Sequence, residues 1–223
     1  FQPDFTWIKD RDATENHNLG NSVTGATKFM NSDRANTQAT NAEALTTWGA
    51  DGFTLGNYAE VNNSAEDYVS WNWKVNATSA TNSVGSVDVD LAVNTTAGIS
   101  VGTYTGDGAD GATFGHGLGV IPHVVLVKST SNDTNWYMRH NSQTSDNNMI
   151  LDTTSAEINA GGYNAGIIDD LASTTTWTMT KNGATDPTNN NGSGREYVVY
   201  TFASVKGYSK FGKYEGNGNV DGP

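Results

Sequence analysis

The chain contains no cysteine, which excludes a disulfide framework and any cysteine-ligated metal centre. Basic residues are scarce: 12 Lys and Arg against 24 Asp and Glu give a formal net charge of −12. That balance argues against nucleic acid and anionic membrane as partners and fits a protein in an extracellular or saline medium. No apolar run approaches membrane-spanning length. Catalytic signatures are also missing. There is no GxSxG elbow, no phosphate-cradling glycine loop and no HExxH pair. The adjacent acids Glu66/Asp67 and Asp169/Asp170 would point to opposite faces of a strand, so neither forms a facing carboxylate pair. His17, His116, His123 and His140 show no metal-ligand spacing, and His116, set in "GHGLG", suits a loop-anchoring hydrogen bond. The chain reads as non-enzymatic.

What the sequence does have is short alternating segments bounded by Gly, Asn and Asp, the pattern of strands in an antiparallel sandwich. The clearest are "DFTWIK" (4–9), "DGFTLG" (51–56), "DYVSWNWKV" (67–75), "SVDVDLAV" (86–93) and "GISVGTY" (98–104). They are followed by "PHVVLVK" (122–128), "NWYMRH" (135–140), "NMILDT" (148–153), "TTWTMTK" (175–181) and "EYVVYTFASV" (196–205). "NTTAG" between residues 93 and 99 reads as a hairpin turn. Few segments read as helix; the best is 34–48, where Ala39, Ala42 and Leu45 predict a short surface turn of helix at most.

The strands recur in order. "PDFTWIK" from Pro3 matches "PHVVLVK" from Pro122 at a separation of 119, and "YVSWNW" from Tyr68 matches "YVVYTF" from Tyr197 at a separation of 129. Between them Phe53 pairs with Trp177 and Leu55 with Met179; the ten extra residues fall in the polar stretch "GATDPTNNNGSGR". A period near 120 residues indicates tandem duplication rather than a solenoid. "YTGDGADG" (104–111) returns as "YEGNGNVDG" (214–222). The expected fold class is all-β, with tandem antiparallel β-sandwich modules and little helix. Residues 1–78 form a first module without an opening hairpin, 79–206 a complete second one, and 207–223 the opening strand of a further module or a strand given to a neighbour. That last segment makes a homo-oligomer joined by strand addition an expectation.

Alternation places Val69, Trp71 and Trp73 on one face, with Val198, Tyr200 and Phe202 in matched positions. Such aromatics read as the cores of the two sandwiches, filled out by Trp7, Leu126, Phe53 and Trp177. Trp136, Tyr137, Arg139 and His140 lie outside the repeated set and combine a stacking surface with hydrogen-bond donors, as a glycan site does; the alternative is an edge strand with Trp136 half-buried. Asp107 and Asp110, with Asp88 and Asp90 ahead of them, are the candidate calcium ligands, although Gly-Asp-Gly is equally turn chemistry. No other cofactor is expected.

The phrases "PDFTWIKDR", "SVTGATKF", "DGFTLG", "NTTAGISVGTYTGDG", "GHGLGVIPHVVLVK" and "YSKFGKYEGNG" resemble a repeat module of virion-associated, tail-fibre-like proteins of marine bacteriophages. The resemblance implies a structural or receptor-facing virion protein with lectin-like or jelly-roll sandwich modules. Its partners would be other virion subunits and host-surface glycan, and its place the virion, outside the cell. A purely structural assembly protein and a bacterial extracellular adhesin are the rival readings.

Overall fold

The computed structural model describes residues 1–75, 78–144, 147–159, 167–181 and 189–222. Its elements run in the order β1 (Phe5–Asp10), β2 (Asn18–Asn21), β3 (Lys28–Phe29), β4 (Ala39–Thr40), β5 (Leu45–Gly49), β6 (Gly52–Leu55), α1 (Ala59–Asn62) and β7 (Tyr68–Trp73). There follow β8 (Ala80–Asn82), β9 (Val89–Asn94), β10 (Ile99–Thr105), β11 (Thr113–Gly115), β12 (Val124–Ser129) and β13 (Tyr137–His140). The last are β14 (Asn147–Ile150), β15 (Ile158–Asn159), β16 (Ile167–Ile168), β17 (Thr176–Thr180) and β18 (Glu196–Phe202). The protein is all-β and sandwich-like, and every strand pairing between these elements is antiparallel.

An eight-stranded sheet in the order β15-β14-β13-β12-β18-β10-β9-β8 forms the middle layer. Its central strand, β18, reads "EYVVYTF" and is buried at every position after Glu196. That near-continuous apolar run is what a strand covered on both faces requires. Tyr197 and Val199 enter one core, where Phe114 and Trp177 stack at 4.2 Å over Tyr104 from the three-stranded sheet β11-β17-β16 and its neighbours. Val198, Tyr200 and Phe202 enter the opposite core, which is closed by the three-stranded sheet β2-β1-β7 through Phe5 and Leu19, with Met30 bridged to Leu19. Each such large apolar side chain, once buried, stabilises by about 1.5–3 kcal/mol. On the outer face of β2-β1-β7, Leu45 and Trp48 lie over Gly20, and α1 rests on β1.

Residue registers match between the two halves of the chain. Phe5 faces Trp73 and Trp7 faces Trp71 in the β1–β7 pair, as Val124 faces Phe202 and Leu126 faces Tyr200 in β12–β18. The neighbouring strands repeat too: Trp7 faces Leu19 as Leu126 faces Met138, and Leu19 bridges Met30 as Met138 faces Met149. Even the irregular bonds at the strand ends recur, Asp4 N to Trp73 O at 2.8 Å and His123 N to Phe202 O at 2.7 Å. Four strands in each half of the chain therefore keep matching registers.

Two expectations are corrected. The matched aromatics do not fill two separate sandwich cores. The Phe5/Trp7/Trp73 face of the first sheet packs against the equivalent Val124/Leu126/Phe202 face of the second, so these residues form the layer between the units. Trp71 lies at the margin of that layer and remains 46% exposed, because among the described residues β7 has no strand beyond it to carry the cover further. Residues 34–48 are not helical. They form β4 and the start of β5, and Thr37 N is tied to Asp133 of the other unit at 2.8 Å. Threonines at 37, 40, 46 and 47 weaken any helix there and suit the extended chain. Residues 183–188 of the insertion proposed at "GATDPTNNNGSGR" lie outside the described residues.

Candidate functional site

The four residues read as a glycan platform are not one. Trp136 is wholly buried between the units, its indole Nε1 donating to Asn31 O at 2.8 Å. Tyr137 points the other way, into the core with Trp177, and its hydroxyl accepts from Asn189 Nδ2 at 2.6 Å. Arg139 is buried and spends its guanidinium on the carbonyls of Thr144, at 2.6 Å, and Asn147. His140 Nδ1 accepts from Ser142 N at 3.0 Å. The cause is the position of β13, an interior strand with β12 on one side and β14 on the other, so alternate residues go into alternate cores.

The candidate calcium ligands are likewise separated. Asp107 Oδ1 accepts from Ala109 N at 2.8 Å and Asn191 Nδ2 at 2.7 Å. Asp110 Oδ1 accepts from Lys181 N at 2.7 Å and Thr180 Oγ1 at 3.2 Å, and the Lys181 amide bond leads in holding its carboxyl below the usual range. Both serve as turn anchors. Among the described residues, no group of three or more His, Asp or Glu side chains is placed to hold a metal ion. His116 fixes its loop as expected, Nδ1 accepting from Leu118 N at 3.2 Å, and burial pushes its imidazole down.

What the fold does bring together is a groove of about 580 Å³ between the units. Val23, Thr24, Lys28 and Gln38 form one wall, and Asp88, Asp90, Thr103, Thr105, Thr130 and Glu196 the other. Within it Thr81 Oγ1 donates to Asp90 Oδ1 at 2.7 Å. The lining alternates hydroxyls with carboxylates and offers one ammonium and one amide, a hydrogen-bonding surface for a polyhydroxylated ligand. These residues come from many separate segments, so no local motif announces them.

A second, apolar feature opens beside β7. Trp7, His17, Trp71 and Trp73 line a cavity of about 280 Å³. Trp7 Nε1 donates to His17 Nδ1 at 2.8 Å, and the Trp7 and Trp71 rings meet edge to face at 6.1 Å. The aromatic run was legible in the sequence, but its exposure was not.

Lys128 links the units from the buried side. Its ammonium donates to Ala35 O at 3.0 Å and Thr134 O at 2.7 Å, and desolvation pushes its pKa down to about 8 against the pull of Asp152 and Asp133. The hydroxyl of Tyr200 accepts from Asn21 Nδ2 at 2.9 Å, and burial pushes it upward.

Fold and surfaces together define an all-β, sandwich-like protein whose two halves meet through sheet faces of matching register and leave a polar groove at the seam. The profile of a domain of unknown function, DUF7483, matches residues 1–223, and the chain belongs to that family. No curated protein and no solved structure matches it.

Proposed function

We propose that this chain is a non-enzymatic structural module of a bacteriophage appendage of the tail-fibre kind, and that the groove between its units contacts host-surface glycan. The observation that supports it most is the pair of sheets of matching register joined through a wide hydrophobic layer, which suits a stiff projecting element better than a hinged one. The sequence resemblance to virion-associated modules supplies the viral context. The groove supplies a polar, hydroxyl-rich wall of the right chemistry for a saccharide. Particle proteomics and labelled-antibody electron microscopy test the first part, with signal expected on a virion appendage and its absence from purified particles counting against it. Titration with host-surface polysaccharide tests the second. Binding weakened about tenfold by Asp90→Ala is expected, since a lost charged hydrogen bond is worth about 1.5–3 kcal/mol. No binding at about millimolar ligand leaves the purely structural reading, and release of reducing sugar defeats the non-enzymatic one.

A further inference from the structure

β18 is paired on both edges, by β12 and β10, whereas among the described residues its counterpart β7 is paired only by β1. Arg11 N bonds Asp67 O at 2.8 Å, so the alternation of an antiparallel ladder turns the N–H and C=O of Tyr68, Ser70 and Asn72 outward. These are the counterparts of Tyr197, Val199 and Thr201, which face β10.

The loop leading into β7 already has the shape of the loop leading into β18. Asn63 N donates to Tyr68 Oη at 2.8 Å, and Gly192 N donates to Tyr197 Oη at 2.8 Å. Ala65 holds φ at +67°, a left-handed value that strains an alanine, where the other loop has Gly194 at +72°. In the C-terminal unit this loop receives the turn that follows β10. Gly106 N bonds Arg195 O at 2.8 Å, Gly194 N bonds Gly106 O at 2.8 Å, and Gly108 N bonds Asn191 O at 2.9 Å. Asp107 and the Asn191 side chain exchange two further bonds, and Tyr104 Oη donates to Asn190 O at 2.5 Å. The N-terminal loop presents Glu66, Ala65, Asn62 and Val61 at the same places.

The segment that matches this receptor is 209–222. Gly212, Tyr214, Gly216 and Gly218 stand where Gly102, Tyr104, Gly106 and Gly108 do, and the turn is already formed. Asn219 N donates to Asn217 Oδ1 at 2.9 Å as Ala109 N does to Asp107 Oδ1 at 2.8 Å, with Gly218 at φ +70° and Gly108 at +73°. A Cβ on Gly106 would stand 2.4 Å from Gly192 O, which explains glycine there. A Cβ on Gly216 would meet nothing within 4 Å beyond its chain neighbours, and Tyr214 is 82% exposed. Its own unit has no room for the segment as a strand, since both edges of β18 are taken.

We infer that Ser209–Glu215 of a second copy of this chain adds antiparallel to the free edge of β7, in the register that β10 keeps on β18. Ser209 then faces Trp73, Phe211 faces Trp71 and Lys213 faces Val69. Phe211 leaves its packing against Phe202, at 5.5 Å, for the Trp7–Trp71–Trp73 cavity. Tyr214 stacks on Tyr68 as Tyr104 stacks on Tyr197 at 5.1 Å. Because donor and acceptor are different surfaces, the contact is head-to-tail and propagates. This inference rests on the reading of the chain as an appendage module. Its test reads association and register, so it can fail while particle location and glycan binding stand.

The cysteine-free chain allows a direct experiment. Lys213→Cys with Val69→Cys, oxidised at increasing protein concentration, should give a ladder of disulfide-linked multimers. Lys213→Cys with Ser70→Cys, which places the thiols on opposite faces, should not. Phe211→Asp should weaken association in sedimentation by more than about tenfold. A synthetic peptide of residues 207–222 added to the otherwise unaltered chain, which no substitution can have unfolded, should dissolve the multimers. A chain monomeric up to about millimolar concentration that binds no peptide overturns the proposal. So does a disulfide confined within one chain, or equal ladders from both cysteine pairs.

Discussion

β18 and β7 carry nearly the same phrase, "YVVYTF" against "YVSWNW", in the same register on equivalent partners, yet one is buried almost throughout and the other is half-open. The difference lies in their neighbours. β18 has β10 on its second edge and a sheet on each face, so Tyr200 sees no water. β7 has one edge free, and Trp71, the matched residue, stays exposed. Burial here is a property of the layer in which a strand sits, and equal sequence pattern does not confer equal burial.

That contrast can be broken residue by residue. The largest effect belongs to Tyr200→Ala, which should cost about 3–5 kcal/mol in denaturant unfolding, while Trp71→Ala should cost about 1 kcal/mol or less. Equal costs would mean that the two positions are not differently covered. Next comes Lys128, whose ammonium crosses to Ala35 of the other unit, whereas its counterpart Lys9 bonds its own loop at Ala13 O, 3.3 Å. Its pKa of about 8 means that the folded state disfavours the charged amine. Wild type should therefore gain stability over Lys128→Met as pH rises from about 8 towards 10.5, by about 3 kcal/mol, and the difference should be constant below that window. The smallest effects come from the matched loop positions. Ala65→Gly should stabilise and Gly194→Ala destabilise, each by about 1 kcal/mol, since both sites require the left-handed conformation. A destabilising Ala65→Gly would remove the equivalence of the two loops.

The strands with alternating apolar residues between Gly and Asn were all legible, and the pairs Pro3/Pro122, Lys9/Lys128 and Tyr68/Tyr197 marked the strands whose registers match. β2, "NLGN", was not legible. It has no alternation and is a strand only because β1 and Met30 pair with it. The glycan reading of Trp136 and its neighbours failed for a related reason. A polar aromatic strand looks the same at an edge as between two cores, and β13 lies between two cores. The groove was hidden because single threonines and aspartates carry no local pattern, and only the stacking of the units collects them. Residues 34–48 misled through a helical period made of small side chains, which tertiary pairing overrides.

The most direct measurement is residue-resolved hydrogen exchange on dilute, monomeric chain, comparing Ser70 and Asn72 with their counterparts Val199 and Thr201. Exchange at 70 and 72 orders of magnitude faster than at 199 and 201 is expected, since the first pair borders water and the second bonds β10. Equal protection at all four amides would contradict the account, because β7 would then have a partner that leaves no place for a donated strand.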